Sequence, residues 1–257
     1  MTKFCRFEAE GETQYGLVRD ERIEALSAAP WRGGELTTKL YPLAQVRLLA
    51  PCQPSKVICL GRNYREHAAE LGNPVPRAPL IFLKPPSAVI GPGEPIVYPS
   101  ISERVDYEGE LGLVIGRRCH RINPEDDSFH YVFGYTCVND VTARDLQKAD
   151  GHFARAKGFD SFCPLGPVIA TGLDPSCLII ETYVSGERRQ HASTSEMIFS
   201  LDDIMRFIAG VMTLEPGDVI ATGTPAGVGP LRVGDVVEVA IEGIGHLRNQ
   251  VVAESQS

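Results

Sequence analysis

Glycine and proline recur along almost the whole chain, 25 and 19 of them in 257 residues, and cut its apolar segments into short pieces. Glycine tolerates the tight backbone of turns and proline removes a backbone donor, so this spacing punctuates strands and rarely leaves room for a long helix. Apolar runs at residues 4–8 and 15–19 are joined by Glu10-Gly11-Glu12 as a hairpin, with a third short strand at 22–26. Further runs fall at 57–60, 80–84, 108–116, 132–139, 168–170, 179–184, 219–222 and 236–241. Many short strands separated by turn signals predict a mainly β fold with few helices: a sandwich, roll or barrel. Trp31-Arg32-Gly33-Gly34 begins a looser connection, and Ala50-Pro51-Cys52-Gln53-Pro54 marks a domain boundary near residue 52.

One long helix interrupts the strands. Ser200 and Asp203 form a capping box, and Leu201, Ile204, Met205, Ile208, Val211 and Met212 repeat at helical spacing until Glu215-Pro216-Gly217. That stripe is core packing. Two shorter helices are expected at 64–71, capped by Asn63 with Glu66, and at 143–149, capped by Thr142 with Asp145.

The hydrophobic fraction, 43%, is enough to bury a full core, and a net charge of -8 opposes a nucleic-acid or anionic-membrane surface. Seven cysteines include no Cys-x-x-Cys pair, and Cys59, Cys137 and Cys177 sit in apolar runs. They read as reduced core residues of a cytoplasmic protein. The first residues carry no long apolar stretch, so no secretion signal is expected, and no apolar run is long enough for a membrane span.

Chemistry concentrates in a few blocks. Read as a strand, residues 105–116 point Tyr107, Leu111, Leu113 and Ile115 one way and Glu108 and Glu110 the other, the two carboxylates roughly 7 Å apart. They repel each other and resist burial. A second apolar strand ends in Asn139-Asp140 and delivers a third acid. Three oxygen donors without His or Cys suit a hard cation, Mg²⁺ or Mn²⁺. A solvated face on a half-exposed strand fits the spacing equally well. His67 and Glu70 stand three residues apart on a short helix between Gly61 and Gly72, where a carboxylate raises the basicity of the imidazole and the glycines allow a lid motion. An incidental surface pair is the plainer alternative, and the other five histidines read as surface residues. Arg144 and Gln147 share a helix face beside Asp140 and could hold an anionic substrate. Lys157 sits in an aromatic loop bounded by Gly and Pro. Lys84 ends an apolar strand, either solvated or buried for a purpose. Residues 221–229 form a Gly-rich turn that places Thr224 near a pocket and lacks the Gly-Lys-[Ser/Thr] of a phosphate loop. No Gly-x-Ser-x-Gly elbow is present.

Taken in order, Gly61-Arg62-Asn63-Tyr64 with His67 and Glu70, Phe82-Leu83-Lys84-Pro85, Asp106-Tyr107-Glu108-Gly109-Glu110-Leu111, Asn139-Asp140 through Asp145-Leu146-Gln147, Lys157-Gly158-Phe159-Asp160 and Gly223-Thr224-Pro225 resemble the fumarylacetoacetate hydrolase family over about residues 55–251. The resemblance implies an α+β, mainly β fold: a mixed β-sandwich roll over residues 53–257 preceded by a small N-terminal β domain, residues 1–52. It implies a homodimer with Mg²⁺ (or Mn²⁺) on Glu108, Glu110 and Asp140, and His67, Glu70 and Lys157 as catalytic groups. Arg62, Tyr64, Lys84, Arg144, Gln147 and Thr224 would bind or support a small 2-oxo acid. The Lys157 loop resembles the bacterial isomerase/decarboxylase branch of homoprotocatechuate breakdown and the acylpyruvate hydrolases. The expected reaction is therefore cleavage of a carbon–carbon bond in a 2-oxo acid, by acylpyruvate-type hydrolysis or oxaloacetate-type decarboxylation. Isomerisation of 2-hydroxyhepta-2,4-diene-1,7-dioate and a non-catalytic ligand-binding protein are the alternatives.

Overall fold

The computed structural model describes residues 1–255. Its largest sheet has twelve strands, the main path running Leu36–Pro42, Arg22–Leu26, Glu12–Arg19, Thr2–Ala9, Cys163–Thr171, Val132–Asn139, Gly109–Ile115, Val219–Ala221, Val57–Gly61, Leu80–Lys84. The N-terminal hairpin continues this sheet, because Thr2–Ala9 pairs antiparallel with Cys163–Thr171. A five-stranded sheet, Glu187–Ser193, Ile179–Val184, Val236–Ile241, Gly245–Ala253 and Ile96–Tyr98, supplies the second layer. A three-stranded sheet joins Thr142–Ala143, Val105–Tyr107 and Gly229–Pro230.

The central strands are buried on both faces. Leu111, Leu113 and Ile115 point into a core shared with Ile180, Val239 and Leu247 of the second sheet and with Ile204, Met205 and Ile208 of the long helix. Val114 and Val138, on the opposite face, pack with Cys59, Leu165, Ile169 and Val219. Nearly continuous apolar runs in these strands follow from that double burial.

The described residues form four α-helices: α1 (Arg65–Glu70), α2 (Arg144–Asp150), α3 (Ala154–Lys157) and α4 (Leu201–Val211). Ser200 and Asp203 form the expected capping box of α4. Neither short helix is capped as expected. The Asn63 carboxamide accepts from Phe199 N–H at 2.8 Å and donates to the Thr222 carbonyl at 2.8 Å, tying two distant segments together. Thr142 lies in a strand and donates to the Asp140 carbonyl, while Asp145 accepts from Ser102 and Glu103. In both places long-range partners outcompete the local capping bond.

Of the strands with five or more residues among those described, three lie outside the expected runs. Leu36–Pro42, expected as a loose connection, is an edge strand with almost every side chain exposed, so it carries no in–out alternation. Glu187–Ser193 buries only Gln190 and Ala192. Gly245–Ala253 does alternate, with Leu247, Asn249 and Val251 buried, but was not among the expected runs. The expected strand 108–116 is divided at Glu108, which lies between Val105–Tyr107 and Gly109–Ile115 in two different sheets. Six cysteines are buried and unpaired, but Cys177 is exposed on a short turn, contrary to its apolar flanks. No helix among the described residues is long and apolar enough to cross a membrane.

Gly109 is a point of close approach between the two sheets: a Cβ there would lie 2.1 Å from Thr182 Oγ1. Gly109→Ala is expected to lower unfolding stability by about 1–3 kcal/mol, as overpacking does. Urea denaturation checks this; an unchanged midpoint would show that the layers are less tightly apposed than described.

Candidate active site

Cross-strand register assembles the acids. Gly109 pairs with Asn139, so Glu108 and Asp140 become neighbours, and the Asp140 N–H donates to the Glu108 carbonyl at 2.8 Å. The Asn139 side chain accepts the Glu108 N–H at 3.0 Å and holds the backbone at the division of the strand. Glu110 lies two residues on, and its Oε2 accepts from Gly223 N–H at 2.7 Å. Gly223 is obligatory there: its φ is +97°, and a Cβ would stand 2.6 Å from Asn63 Cβ. Glu108, Glu110 and Asp140 are 5%, 1% and 0% exposed, which rules out the solvated strand face.

Cations interleave with these acids. Lys157 Nζ bridges Glu108 Oε2 at 2.9 Å and Asp140 Oδ2 at 2.5 Å, and lies 4.8 Å from the Phe82 ring centre. Lys84 Nζ donates to Asp140 Oδ1 at 2.6 Å and to the Val141 carbonyl, fully buried. Arg144 donates to Glu108 at 2.5 Å, to Asp106 at 2.9 Å and to the Gln147 amide oxygen at 2.7 Å. Burial opposes ionisation of Glu108, but Lys157 and Arg144 outweigh it and hold the carboxyl well below the usual range. Glu110 has no such partner. Burial, then the charges of Asp140 and Glu108, push its carboxyl well above the usual range. Burial also opposes the charge of Lys157, yet Asp140 and Glu108 raise it above the ordinary lysine value.

One oxygen from each of Glu108, Glu110 and Asp140 lies within 4.8 Å of the others, and Glu110 Oε1 is buried with no hydrogen-bond partner among the described residues. Carboxylate oxygens have two lone pairs each, so the lysine contacts leave coordination capacity. An all-oxygen donor set with one orphaned buried oxygen fits a hard divalent cation.

His67, Glu108, Arg144, Gln147, Lys157 and Thr224 line one cavity of about 360 Å³, with Arg62 at its wall and the Phe82–Phe153 pair, ring centres 4.9 Å apart, as an apolar side. His67 is 4% exposed, which sets aside the incidental surface pair, and Nδ1–H donates to Glu70 Oε2 at 3.2 Å. Glu70 also accepts from Gly227 N–H at 3.1 Å. Gly61 is held inside a strand and Asn63 is clamped, so the N-terminal end of α1 is no free hinge. The Thr224 hydroxyl donates to the Gly109 carbonyl and accepts from Gln190. Two expected substrate contacts lie off the wall. Tyr64 is buried beside a neighbouring hollow with Glu196 and Met197, and Lys84 reaches the site only through Asp140. The exposure of His120, His130, His152, His191 and His246 is as expected.

Sequence reasoning missed Asp106 and Gln190. Asp106 shares strand parity with Glu108 and Glu110, so the signal was there; it accepts from both Arg104 and Arg144. Gln190 braces Gly109 N–H, Thr224 and the Pro225 carbonyl from a polar strand far along the chain. Nothing local announces it.

A two-layer β fold that buries a carboxylate trio able to hold a divalent cation, with a His–Glu pair nearby, is the arrangement found here. Residues 56–252 match the fumarylacetoacetate (FAA) hydrolase C-terminal family, and residues 2–51 match the Rv2993c-like N-terminal family. The chain belongs to the fumarylacetoacetate hydrolase family. It is 45% identical over 232 residues to oxaloacetate tautomerase YisK of Bacillus subtilis, across 84% of this chain and 77% of that protein. It superposes on 2-hydroxyhepta-2,4-diene-1,7-dioate isomerase of Mycobacterium marinum with a TM-score of 0.92, 42% identity and 100% of both chains covered. Maleylpyruvate hydrolase of Sphingobium sp. SYK-6, solved with manganese(II) and pyruvate, superposes with a TM-score of 0.81 and 32% identity, over 98% of this chain and 100% of that one.

The two glutamates differ in sign. Glu110 holds a proton more tightly folded than unfolded, so in metal-free protein stability falls as pH rises from the ordinary value of 4.5 through the raised folded value. Glu108 is depressed, so its contribution is present above 4.5 and lost as pH falls below it. In EDTA at neutral pH, Glu110→Gln is expected to raise the unfolding midpoint. Glu108→Gln is expected to lower it, because it takes one of two carboxylate partners from both Arg144 and Lys157. Thermal melts of the three proteins check the order; the reverse order would refute this electrostatic account.

Proposed function

We propose that the protein is a divalent-cation-dependent enzyme that cleaves a carbon–carbon bond of a 2-oxo acid, by acylpyruvate-type hydrolysis or oxaloacetate-type decarboxylation. The observation that carries this reading is a buried acid trio whose Glu108 lines the same cavity as His67, the imidazole held by Glu70. Mg²⁺ or Mn²⁺ on Glu108, Glu110 and Asp140 would supply the positive charge that draws electrons toward the 2-oxo oxygen as the bond at C3 breaks.

The chain's own groups do the rest. Glu70 fixes the Nδ1–H tautomer of His67, which leaves Nε2 basic and able to take a proton from water. In hydrolysis that water attacks the distant carbonyl of a β-diketo acid. Lys157 and Gln147 face the same space and steady the negative charge on the departing fragment. Arg144 keeps Glu108 aimed and ionised. The Phe82–Phe153 wall limits water on one side. Decarboxylation uses the same charge stabilisation and no attacking water.

A second reading is favoured by the 45% identity to an oxaloacetate tautomerase and the 42% identity to a dienedioate isomerase. There His67 and Glu70 would relay a proton at C3 and no carbon–carbon bond would break. Acetylpyruvate, oxaloacetate and 2-hydroxyhepta-2,4-diene-1,7-dioate, each with Mg²⁺ and with EDTA, separate the two. Cleavage of either of the first two, lost in EDTA, is the expected result; tautomerisation or isomerisation alone would establish the second reading. His67→Ala is expected to lower acylpyruvate hydrolysis by about 10²–10⁴-fold, with Mg²⁺ affinity by calorimetry nearly unchanged. Parallel loss of both would show that His67 serves the metal site. The same reading carries a homodimer, which light scattering in solution tests.

A further inference from the structure

A second cavity, of about 720 Å³ against about 360 Å³ for the first, shares no lining residue with it. Its volume falls in the range of roughly 300–1,000 Å³ usual for small-molecule sites. Phe129, Leu173, Met197 and Leu201 make its apolar wall. Its charges are of one sign. Asp174, Asp202 and Asp203 line it, and among the described residues no lysine, arginine or histidine does. Asp202 is paired with Arg206, and Asp203 is occupied by the Ser200 cap. Asp174 accepts from the Ser176 N–H at 3.0 Å and has no cation within 4.0 Å among the described residues.

Tyr135 lines the same cavity. It is 7% exposed, yet its hydroxyl has no hydrogen-bond partner among the described residues. A buried phenol usually finds one, because a polar group stripped of water and left unpaired is costly. Burial, then the charges of Asp174 and Asp127, push this hydroxyl up to about 12, so it stays protonated and can both donate and accept. An orphaned phenol and an unmatched carboxylate on one wall are both satisfied by an ammonium, which can give an N–H to each. The aromatic faces of Phe129 and Tyr135 also favour a cation over an anion.

The wall is tied to α1. Met197 forms an isolated antiparallel bridge with Tyr64, and the Ile198 N–H donates to the Asn63 carbonyl at 2.7 Å. Ile198 lines the cavity too, and Asn63 and Tyr64 lead directly into α1, which carries His67. A ligand packed on Met197 and Ile198 therefore bears on the base of that helix.

We propose that this cavity is a second ligand site, that it takes an organic ammonium ion with an apolar body, and that its occupancy stiffens α1 through Asn63 and Tyr64. The ammonium lies between Asp174 and the Tyr135 hydroxyl, and the apolar body lies against Leu173, Met197 and Leu201. The site does not depend on the reaction assigned to the first cavity.

Isothermal titration of the full-length protein, with Mg²⁺ in excess, compares 2-phenylethylamine with 2-phenylethanol, which differ in the charge of the end group. The amine is expected to bind about fivefold tighter, the scale of one partly exposed ion pair. Asp174→Asn keeps an acceptor for Ser176 and should erase that preference, and Asp174→Glu should retain it. Tyr135→Phe should weaken both ligands. Affinity for 2-phenylethanol should be nearly unchanged in Asp174→Asn, which also shows that the variant is folded. Hydrogen exchange at the Ala68 and Leu71 amides should slow when the amine is bound, and slow less in Asp174→Asn at the same concentration. No saturable binding of the amine, equal wild-type affinities for the two probes, or a preference that survives Asp174→Asn would overturn the site. Binding that leaves exchange in α1 unchanged would overturn the transmission. Light scattering that shows the amine splitting a larger assembly would mean that a second copy fills this cavity, and would overturn the assignment as well.

Discussion

Four carboxylates are held together out of water in this protein, those of Asp106, Glu108, Glu110 and Asp140, and most of the structure follows from keeping them there. Taking each charge out of water costs several kcal/mol, and attraction repays it only when geometry is good and every oxygen has a partner. Arg144, Lys157, Lys84 and the half-exposed Arg104 meet three of the four acids. Among the described residues Glu110 alone of the four has no cation paired with it and keeps one oxygen without a partner. The residual imbalance is where a divalent ion would bind most strongly.

The architecture supplies the rigidity this requires. Because the central strands are covered on both faces, Glu108 and Glu110 cannot turn away to solvent, and the register of Gly109 against Asn139 brings Asp140 beside them. Glycines at 109 and 223 let Thr182 and Asn63 approach closer than any side chain would permit. Asn63 then links the base of α1 to the segments around Phe199 and Thr222, so the His67–Glu70 pair is referenced to the same frame as the acids. On the proposed reading, a base and a cation site held in one frame would act on opposite ends of one small substrate.

Legibility differed sharply between kinds of feature. Most of the strands with apolar, alternating or continuous runs were readable, and so was α4, since its capping box and its stripe agree. Leu36–Pro42 and Glu187–Ser193 were not, because an edge strand or a largely polar one has no buried face to impose a period on the sequence. The caps proposed for α1 and α2 failed because Asn63 and Asp145 found partners outside their own helices. Cys177 misled for a similar reason: apolar neighbours in sequence were not its neighbours in space.

From residue types and their order alone came the mainly β character, the acid strand, the His67–Glu70 pair and the family to which the chain belongs, since these depend on local spacing and on motifs that survive without coordinates. Spacing left Glu108 and Glu110 divided evenly between a metal site and a solvated face. Only the folded chain set the solvated face aside, by covering both faces of their sheet and importing Lys157, Lys84 and Arg144 from elsewhere in the sequence. The same holds for Gln190 and for the displacement of Tyr64 from the cavity. Electrostatics acts through distance in space, and that distance is set by strand register and layer packing, quantities no local stretch of sequence contains.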